Sequence, residues 1–479
     1  MGHGHHIEIK QEQFSVPAKG KNFAILLIVV GLILAGIGIA TIDRSHGGGH
    51  HGEKPKNEAS AASKEHGEHH DAAESHAKPA ADHKSKAEVH EGHGNVDNEH
   101  FGPRVKFHPQ DKPWTTRIWA NLLIIGYLLF MVSLAALFFV AVQYIANAGW
   151  SAAIKRIPEA MSTFFPVGFV LAFIAILVAK NDLYHWVHYE HLHLKKGDAG
   201  FDAILDGKKW FLNSNMFLIF PVVLVAIWWL LGRKLRSLSV AEDNAPKGDL
   251  TSHKKSIRYS AGFAVIYGFT IAVVAWLWMM SIDAHWFSTI FGVYNFATSW
   301  VTALTVICLF VVYLRSLGYL KIVSDEHVHD LGKFMFAFSI FWTYIWLSQY
   351  LLIWYAHIPE EMVYYQIRYE DYKFNFLLNV FMNFLCPFLI LMMRNAKRSP
   401  KVLAVIGTIL IFGHYHDVWL MVMPGVFGPG MQIGLLEIGT LLTFAGIFVY
   451  WVLVALTKKG LIPVNHPYIE ESANHDVGV

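Results

Sequence analysis

Ten stretches of this 479-residue sequence are apolar over about 20 residues or more, the length that an α-helix needs to cross a bilayer. They lie at 23–41, 118–142, 160–179, 210–231, 257–280, 291–314, 331–355, 372–393, 401–424 and 431–457. Hydrophobic residues make up 54% of the chain and charged residues only 16%, a balance that is unusual for a water-soluble domain. Because hydrocarbon offers no hydrogen bonds to the backbone, we predict an all-α integral membrane fold of ten transmembrane helices.

Lysine and arginine cluster at alternate ends of the apolar runs. They precede the first run and follow the second, fourth, sixth, eighth and tenth, whereas none lies between the fifth and sixth runs or between the ninth and tenth. The positive-inside rule therefore predicts that both termini are cytoplasmic. The loop 180–209 carries five lysines on the predicted outer side, which contradicts this orientation, but the balance of the other loops supports it. The first run is long for a signal peptide, so we predict that it stays as an anchor.

Four outward-running helices end in similar sequences, which predicts an internal repeat. Each carries histidine, tryptophan and a polar or acidic residue near its outer end, at 181–186, 281–286, 348–357 and 413–419. This predicts two four-helix bundles related by a parallel repeat; chance similarity of aromatic-rich helix ends is the alternative. The predicted units are a tail (1–22), a first helix (23–41), an outer segment (42–117), two bundles (118–286 and 287–424), a tenth helix (425–457) and a second tail (458–479).

The outer segment 42–117 holds twelve histidines among Ala, Glu, Lys, Gly and Ser. Such a composition cannot build an apolar core, so we predict that the segment is largely disordered. It is either a solvated linker or a tract that binds transition metals.

Composition also excludes several classes of site. The net charge of +2 gives no basic surface for nucleic acid. The two cysteines, Cys308 and Cys386, lie inside apolar runs and form no CxxC or CxxCH motif. Covalent haem c, a Cys-ligated iron–sulfur cluster and a Cys-zinc site are therefore not expected. Haem b would need two histidines that face each other from different helices, and the Asp-flanked histidines here favour hydrogen-bonded pairs instead.

Ionisable side chains inside a bilayer are costly and commonly mark a pathway. Asp417 lies roughly 24 Å from the inner end of the ninth helix, at 1.5 Å per residue, and shares a face with His414. His416 points to nearly the opposite side, so the two histidines cannot ligate one metal. Glu437 in the tenth helix lies at a similar depth. These four residues are candidates for a proton path; the alternative is that His414 and Asp417 only satisfy each other.

Two further helices end in candidate residues at the outer interface. The fifth ends with Asp283 and His285, and the third with Asp182, His185 and His188, which an unbroken helix would place on one face. Ordinary interfacial polar residues are the alternative, because charge costs less there.

Polar residues also recur along the sixth and eighth helices. They are Asn295, Ser299 and Thr302 on the sixth, and Asn375, Asn379 and Asn383 on the eighth. Such stripes either hold helices together or line a file of water.

The phrases WMMSIDAHW at 278–286, DLYHW at 182–186 and GHYHD at 413–417, with ten helices and a His-rich loop after the first, resemble a known family. The chain is similar over 20–460 to NrfD-like (polysulfide-reductase-type) membrane proteins, in particular the ActF-type subunits of bacterial alternative complex III. That resemblance implies a place in the bacterial inner (cytoplasmic) membrane.

The resemblance implies a complex that oxidises menaquinol and passes electrons to cytochrome c or directly to a haem–copper oxidase. The redox cofactors belong to partner subunits, which are multihaem and monohaem cytochromes c and an iron–sulfur protein, while an ActC-type NrfD-like subunit hosts the quinol site. ActF-type chains carry no cofactor and are proposed to hold proton half-channels. The implied path residues are Asp283, His285, His414, Asp417 and Glu437, with Asp182 and His185 as outer members. A secondary transporter and a metal permease, each with a midplane site, are the alternatives.

Overall fold

A computed structural model describes residues 10–42, 112–194, 196–198 and 201–476. Within them there are helices and no strands. The helices are α1 (Ala18–Ala40), α2 (Thr115–Ile145), α3 (Arg156–Ser162), α4 (Phe165–Leu183), α5 (Trp186–Leu192), α6 (Ala203–Lys208), α7 (Ser214–Asp243), α8 (Thr251–Trp278), α9 (Ile290–Ser316), α10 (Asp325–Ala356), α11 (Pro359–Glu370), α12 (Lys373–Val380), α13 (Cys386–Leu391), α14 (Arg394–Arg398), α15 (Pro400–Phe427), α16 (Leu435–Thr457) and α17 (Ile469–Ala473). Short 3₁₀ helices occupy Gly149–Ile154 and Met280–Asp283.

Ten helical spans in the described residues are long and apolar enough to cross a membrane, which confirms the predicted all-α membrane fold. Helices α3 and α4 together make one span, and so do α12 and α13 with the π-helical turn Phe381–Leu385 between them. The ends differ from the sequence-based ranges where charged residues continue a helix beyond its apolar run. Helix α7 continues to Asp243, beyond the predicted end at 231.

Helix α2 lies at the centre and is buried along nearly its whole length. It packs on α4 and α8, and α8 packs on α7; in the second group α9 packs on α10 and α15, while α12 and α13 fill the space between α10 and α15. The two groups meet where α2 and α8 contact α9. Helix α15 also contacts α2, and the division into two four-helix bundles related by a repeat stays a prediction.

Helix α1 packs against α16 through small residues. A side chain on Gly439 would meet the backbone of Ala35 at 2.3 Å, and one on Gly31 would meet the backbone of Thr443 at 2.4 Å. The two backbones therefore touch, which is how small residues stabilise helix pairs in lipid, where no hydrophobic force joins helices.

The two described ends of the chain lie at one end of the bundle. Glu12 accepts hydrogen bonds from the backbone of Leu320 at 2.6 Å and Lys321 at 3.0 Å, and Gln13 donates to the carbonyl of Thr457 at 2.8 Å. We name this the inner end and the opposite one the outer end, after the sequence-based orientation, which stays a prediction. Most of the His-rich segment 42–117 lies outside the described residues; α2 already begins at Thr115, inside its predicted range.

Candidate functional site

The carboxylate of Asp417 is buried inside the second group of helices and is held by neutral donors. Tyr294 donates to its Oδ1, and Asn379 donates to the same oxygen at 2.9 Å. Thr298 at 2.9 Å and the indole of Trp342 at 3.2 Å donate to Oδ2. Three helical spans besides α15 therefore supply donors to this one side chain, which is 1% exposed. No cation lies within ion-pair distance of it among the described residues.

His414 does not pair with Asp417, so the alternative that these two side chains only satisfy each other does not hold. Its ring lies 5.7 Å from that of Trp342, edge to face, and neither ring nitrogen has a partner among the described residues. Because His414 and Asp417 lie on the same face of α15, both contact Trp342, whose indole donates to Asp417. Burying an imidazole without a partner is costly, so this histidine calls for an explanation beyond packing.

His416 points away from this centre, as the helical spacing predicts. Its Nε2 contacts the backbone carbonyl of Asn375 at 2.9 Å, and its ring is stacked on Trp419 with centroids 5.7 Å apart. It contributes to packing on α12 rather than to the Asp417 centre.

Glu437 is buried, but it belongs to a separate cluster. Arg117 donates to both of its carboxylate oxygens at 2.8 Å, and Asn121 and the backbone of Gly434 donate as well, at 3.0 and 2.8 Å. This is a bidentate ion pair that closes the start of α2 against the start of α16. The hydrogen-bond partners of Glu437 and Asp417 do not overlap. The similar depth predicted for the two carboxylates therefore does not place them in one hydrogen-bonded network.

A cavity of about 300 Å³ opens at the outer end between the ends of α4, α8 and α15 and the side of α11. We name it the vestibule. The side chains that line it include Lys112, His185, Asp283, His285 and Trp286. Three residues from the predicted outer cluster thus meet around one space, although they come from two different helix ends.

His185 and His285 stack in parallel, with ring centroids 5.3 Å apart. His285 contacts Asp202 at 2.5 Å, whereas His185 Nε2 is buried without a partner among the described residues. Burial, together with the neighbouring His285, lowers the pKa of His185 from 6.5 to about 4. Burial also lowers the pKa of Lys112, to about 8. The vestibule therefore holds a neutral imidazole at neutral pH.

The predicted face of Asp182, His185 and His188 is not formed. Helix α4 ends at Leu183 and Tyr184 is extended, so the three residues do not follow one helix. Asp182 accepts from Thr116 at 3.4 Å, and His188 turns back to the carbonyl of Asn181 at 3.0 Å. Only His185 faces the vestibule.

Asp283 forms an ion pair with Arg368 of α11 at 3.0 Å. Arg368 also donates to the carbonyls of Leu420 at 2.9 Å and Met421 at 3.0 Å in α15, and its guanidinium lies over the ring of Tyr364 at 3.4 Å. The arginine is 3% exposed. It joins the vestibule to the helix that carries Asp417.

A second cavity, of about 20 Å³, lies between Arg368 and Asp417. That volume holds about one water molecule. Tyr364 lines both this cavity and the vestibule. Arg368 and Tyr364 therefore form the wall between the outer vestibule and the Asp417 centre.

The polar stripes divide into two kinds. Asn383 in the π-helical turn donates to Asn379 at 2.7 Å, and Asn379 donates to Asp417. These two asparagines therefore extend the hydrogen-bonded network of Asp417 toward the inner end. Tyr127 donates to Asn295 at 3.0 Å across helices. Ser299 and Thr302 on α9 bond to carbonyls of their own helix, at 2.9 and 2.7 Å, and so need no water file to satisfy them.

Sequence reasoning missed several residues of the site. They are Arg368, Arg117, Tyr294, Thr298 and Trp342. The one available signal was Arg368, a basic residue in the amphipathic segment PEEMVYYQIRYE on the predicted outer side.

No protein-family model matches the chain, and a search of curated proteins found no match.

Proposed function

We propose that this chain is a cofactor-free subunit of a menaquinol:cytochrome c oxidoreductase complex of the alternative complex III type, in which Asp417 ends a proton half-channel from the outer side. The multi-pass membrane fold, the resemblance of its helix ends to NrfD-like proteins and the geometry around Asp417 support this function. In the proposal, the partner subunits bind haem c, iron–sulfur clusters and menaquinol, and the chain lies in the bacterial inner membrane with both termini cytoplasmic.

One observation supports the channel above all others. Asp417 is buried among neutral donors, with space for a water beside it. An ionised carboxylate in a low-dielectric interior is costly without a cation, and binding a proton removes that cost. The four donors stabilise the ionised form as well, so the site accommodates both states. A group that tolerates both states beside water suits proton exchange.

The proposed path has three steps. Protons enter the vestibule, which His185, His285 and Asp283 line. They pass the wall formed by Arg368 and Tyr364 through the water-sized cavity, where a water molecule would exchange a proton with Asp417. Arg368, which forms an ion pair with Asp283, borders the same small cavity as Asp417. Asn379 and Asn383 orient the carboxylate, because amides do not titrate in this range.

The inner half supports a half-channel rather than a full channel. Beyond Asn383, the described polar side chains of α9 bond to their own backbone, and the next large space is an apolar cavity of about 260 Å³. In this proposal Asp417 therefore exchanges protons with the outer side only, and the other side of the path lies in a partner subunit, where quinol oxidation releases protons.

The deciding experiment is Asp417→Asn in the intact complex, with protons released per electron as the measurement. We expect assembly and quinol oxidation to persist, because the amide keeps the shape of the side chain, and the proton stoichiometry to fall. Thr298→Val is the matched control, since it removes one donor to Asp417 but leaves the carboxyl. Unchanged stoichiometry in Asp417→Asn complexes of full subunit content would refute the channel.

A secondary transporter with a midplane site is the second candidate, and one observation favours it. The α12–α13 span is interrupted by the π-helical turn Phe381–Leu385, just before Pro387, and Asn383 in this turn has an unpartnered Oδ1. Interrupted helices near the midplane are typical of transporters. Purification from native membranes separates the two: haem-c polypeptides co-purify with a complex subunit, whereas a transporter yields this chain alone. A metal permease is less well supported, because His414 and His416 face different neighbours.

A further inference from the structure

Three potential metal ligands meet at the inner end, far from the Asp417 centre. Glu242 ends α7, His253 lies in the first turn of α8, and His466 lies in the segment after α16. Their ligand atoms all lie within 4.8 Å of one another. Their exposed fractions are 1%, 5% and 7%.

The present contacts of this cluster leave room for a ligand. Glu242 accepts from His253 Nδ1 at 3.0 Å and from Lys155 at 3.0 Å. His253 Nε2 is buried without a partner among the described residues. A cavity of about 20 Å³, enough for one water, is lined by His253, His466, Lys155 and Tyr144. Both imidazoles thus line a water-sized space, and the carboxylate of Glu242 lies within 4.8 Å of their ligand atoms.

We propose that Glu242, His253 and His466 form a binding site for a divalent transition metal of the Zn²⁺ class, with water as the fourth ligand. Two histidines and one glutamate are a common three-ligand set for zinc, and the water-sized cavity supplies the open position. The ligand atoms of a tetrahedral zinc ion lie about 3.3 Å apart. Side-chain movements of about 1 Å would therefore bring these three ligand atoms around the metal. Nitrogen ligands disfavour Mg²⁺ and Ca²⁺, which prefer oxygen.

Proton balance is simple at this site. In the metal-free protein the Nδ1–H of His253 donates to the carboxylate. When the metal takes Nδ1, the single proton of the neutral imidazole lies on Nε2 instead, which faces the cavity. Lys155 keeps its bond to the second oxygen of Glu242 and orients that carboxylate from outside the metal shell.

Lys155 also makes the site weaker than its ligands alone predict. Its ammonium carries the same charge sign as the metal and lies within hydrogen-bond distance of one ligand, so the two cations repel each other. The site therefore suits a metal that binds and leaves, and in doing so fastens the segment after α16 to the ends of α7 and α8. The proposal does not depend on the proton path.

The test compares metal binding by purified full-length chains after treatment with a chelator. Wild type, the double variant His253→Gln/His466→Gln and Lys155→Met are titrated with Co²⁺, whose visible absorption reports tetrahedral nitrogen and oxygen ligands, and with Zn²⁺ in competition. The twelve histidines of 42–117 are the same in all three proteins, so a difference between them isolates the cluster.

We expect wild type to bind one more equivalent of metal than the double variant. The double variant, which lacks both histidines, should also lose the tetrahedral Co²⁺ spectrum. Lys155→Met should bind about tenfold more tightly, because the repelling charge is gone. Equal metal content and equal spectra in wild type and the double variant would overturn the site, and binding would then belong to the His-rich segment. If the double variant does not fold, the Lys155→Met comparison decides, since unchanged affinity there contradicts the proposal.

Discussion

The two ends of the helix bundle treat buried charge in opposite ways. At the inner end, Arg156 bonds Glu159 at 2.6 Å, Ser239 at 3.0 Å and also Asp243, with its side chain and both carboxylates at most 10% exposed. At the outer end, the Asp283–Arg368 pair faces a vestibule of about 300 Å³. The inner charges close a packed interface, whereas at the outer end Asp283 borders an open cavity.

This difference shows that burial of a charged group is not by itself a sign of function. Each of these inner carboxylates has a basic partner within ion-pair distance. Asp417, by contrast, has neutral donors and no cation within that distance among the described residues, and it lies beside a water-sized space that adjoins the vestibule wall. What distinguishes a candidate path from a structural ion pair is unbalanced charge next to accessible water.

The largest effect is expected at the inner end. Arg156→Met leaves Glu159 and Asp243 buried without their arginine, and should lower the free energy of unfolding in detergent by about 3–5 kcal/mol. Ser239→Ala is the matched control, because it removes one neutral partner and should cost only about 1 kcal/mol. Equal losses of unfolding free energy in the two variants would mean that the Ser239 hydroxyl, rather than the ion pairs of Arg156, stabilises the network.

The outer pair should be less sensitive. Arg368→Met leaves Asp283 without its partner, but that carboxylate is 21% exposed and can be hydrated from the vestibule. We expect a loss of about 2–3 kcal/mol, part of it from the contact with Tyr364, against the larger loss at Arg156. The comparison fails if Arg368→Met destabilises the protein more than Arg156→Met in the same detergent.

The sequence alone was sufficient for the features that depend on local pattern. The ten membrane spans follow from long apolar runs. The Asp182–His185–His188 face was wrong because α4 breaks at Tyr184, where no glycine or proline signals the break. Local pattern fixes helices but not every helix end.

Partners were beyond prediction because they are distant along the chain. Asp283 and Arg368 are 85 residues apart, and Arg117 and Glu437 are 320 apart. Nothing within one helix indicates which cation an acid will meet. Glu437 and Asp417 are predicted at a similar depth, yet only packing reveals that Glu437 pairs with Arg117, whereas Asp417 has no cation within ion-pair distance among the described residues. That distinction separates a structural carboxylate from a candidate proton carrier.

His185 in the vestibule should make the stability of the protein depend on pH. The pKa of His185 is lowered to about 4 from 6.5, so the folded state binds fewer protons than the unfolded chain between these values. Stability is therefore full above pH 6.5 and falls as the pH decreases toward 4. His185→Gln should reduce that fall by about 1–2 kcal/mol, less than the whole shift because vestibule water screens the charge. Thermal unfolding at pH 7.5 and pH 4.5 measures it, and identical pH profiles for wild type and variant would contradict it.

The smallest effects distinguish the two polar stripes. Asn383→Ala removes the donor to Asn379, which itself donates to Asp417, so we expect a loss of about 1 kcal/mol and a slower proton release in the complex. Thr302→Val is nearly isosteric and removes only a bond to the carbonyl of Thr298 in the same helix, so its cost should stay below about 0.5 kcal/mol with no change in proton release. If Thr302→Val slowed proton release as much as Asn383→Ala, the water path would have to continue along α9 toward the inner end. The contrast between an open outer end and a closed inner end would then fail, because the half-channel would extend through the membrane.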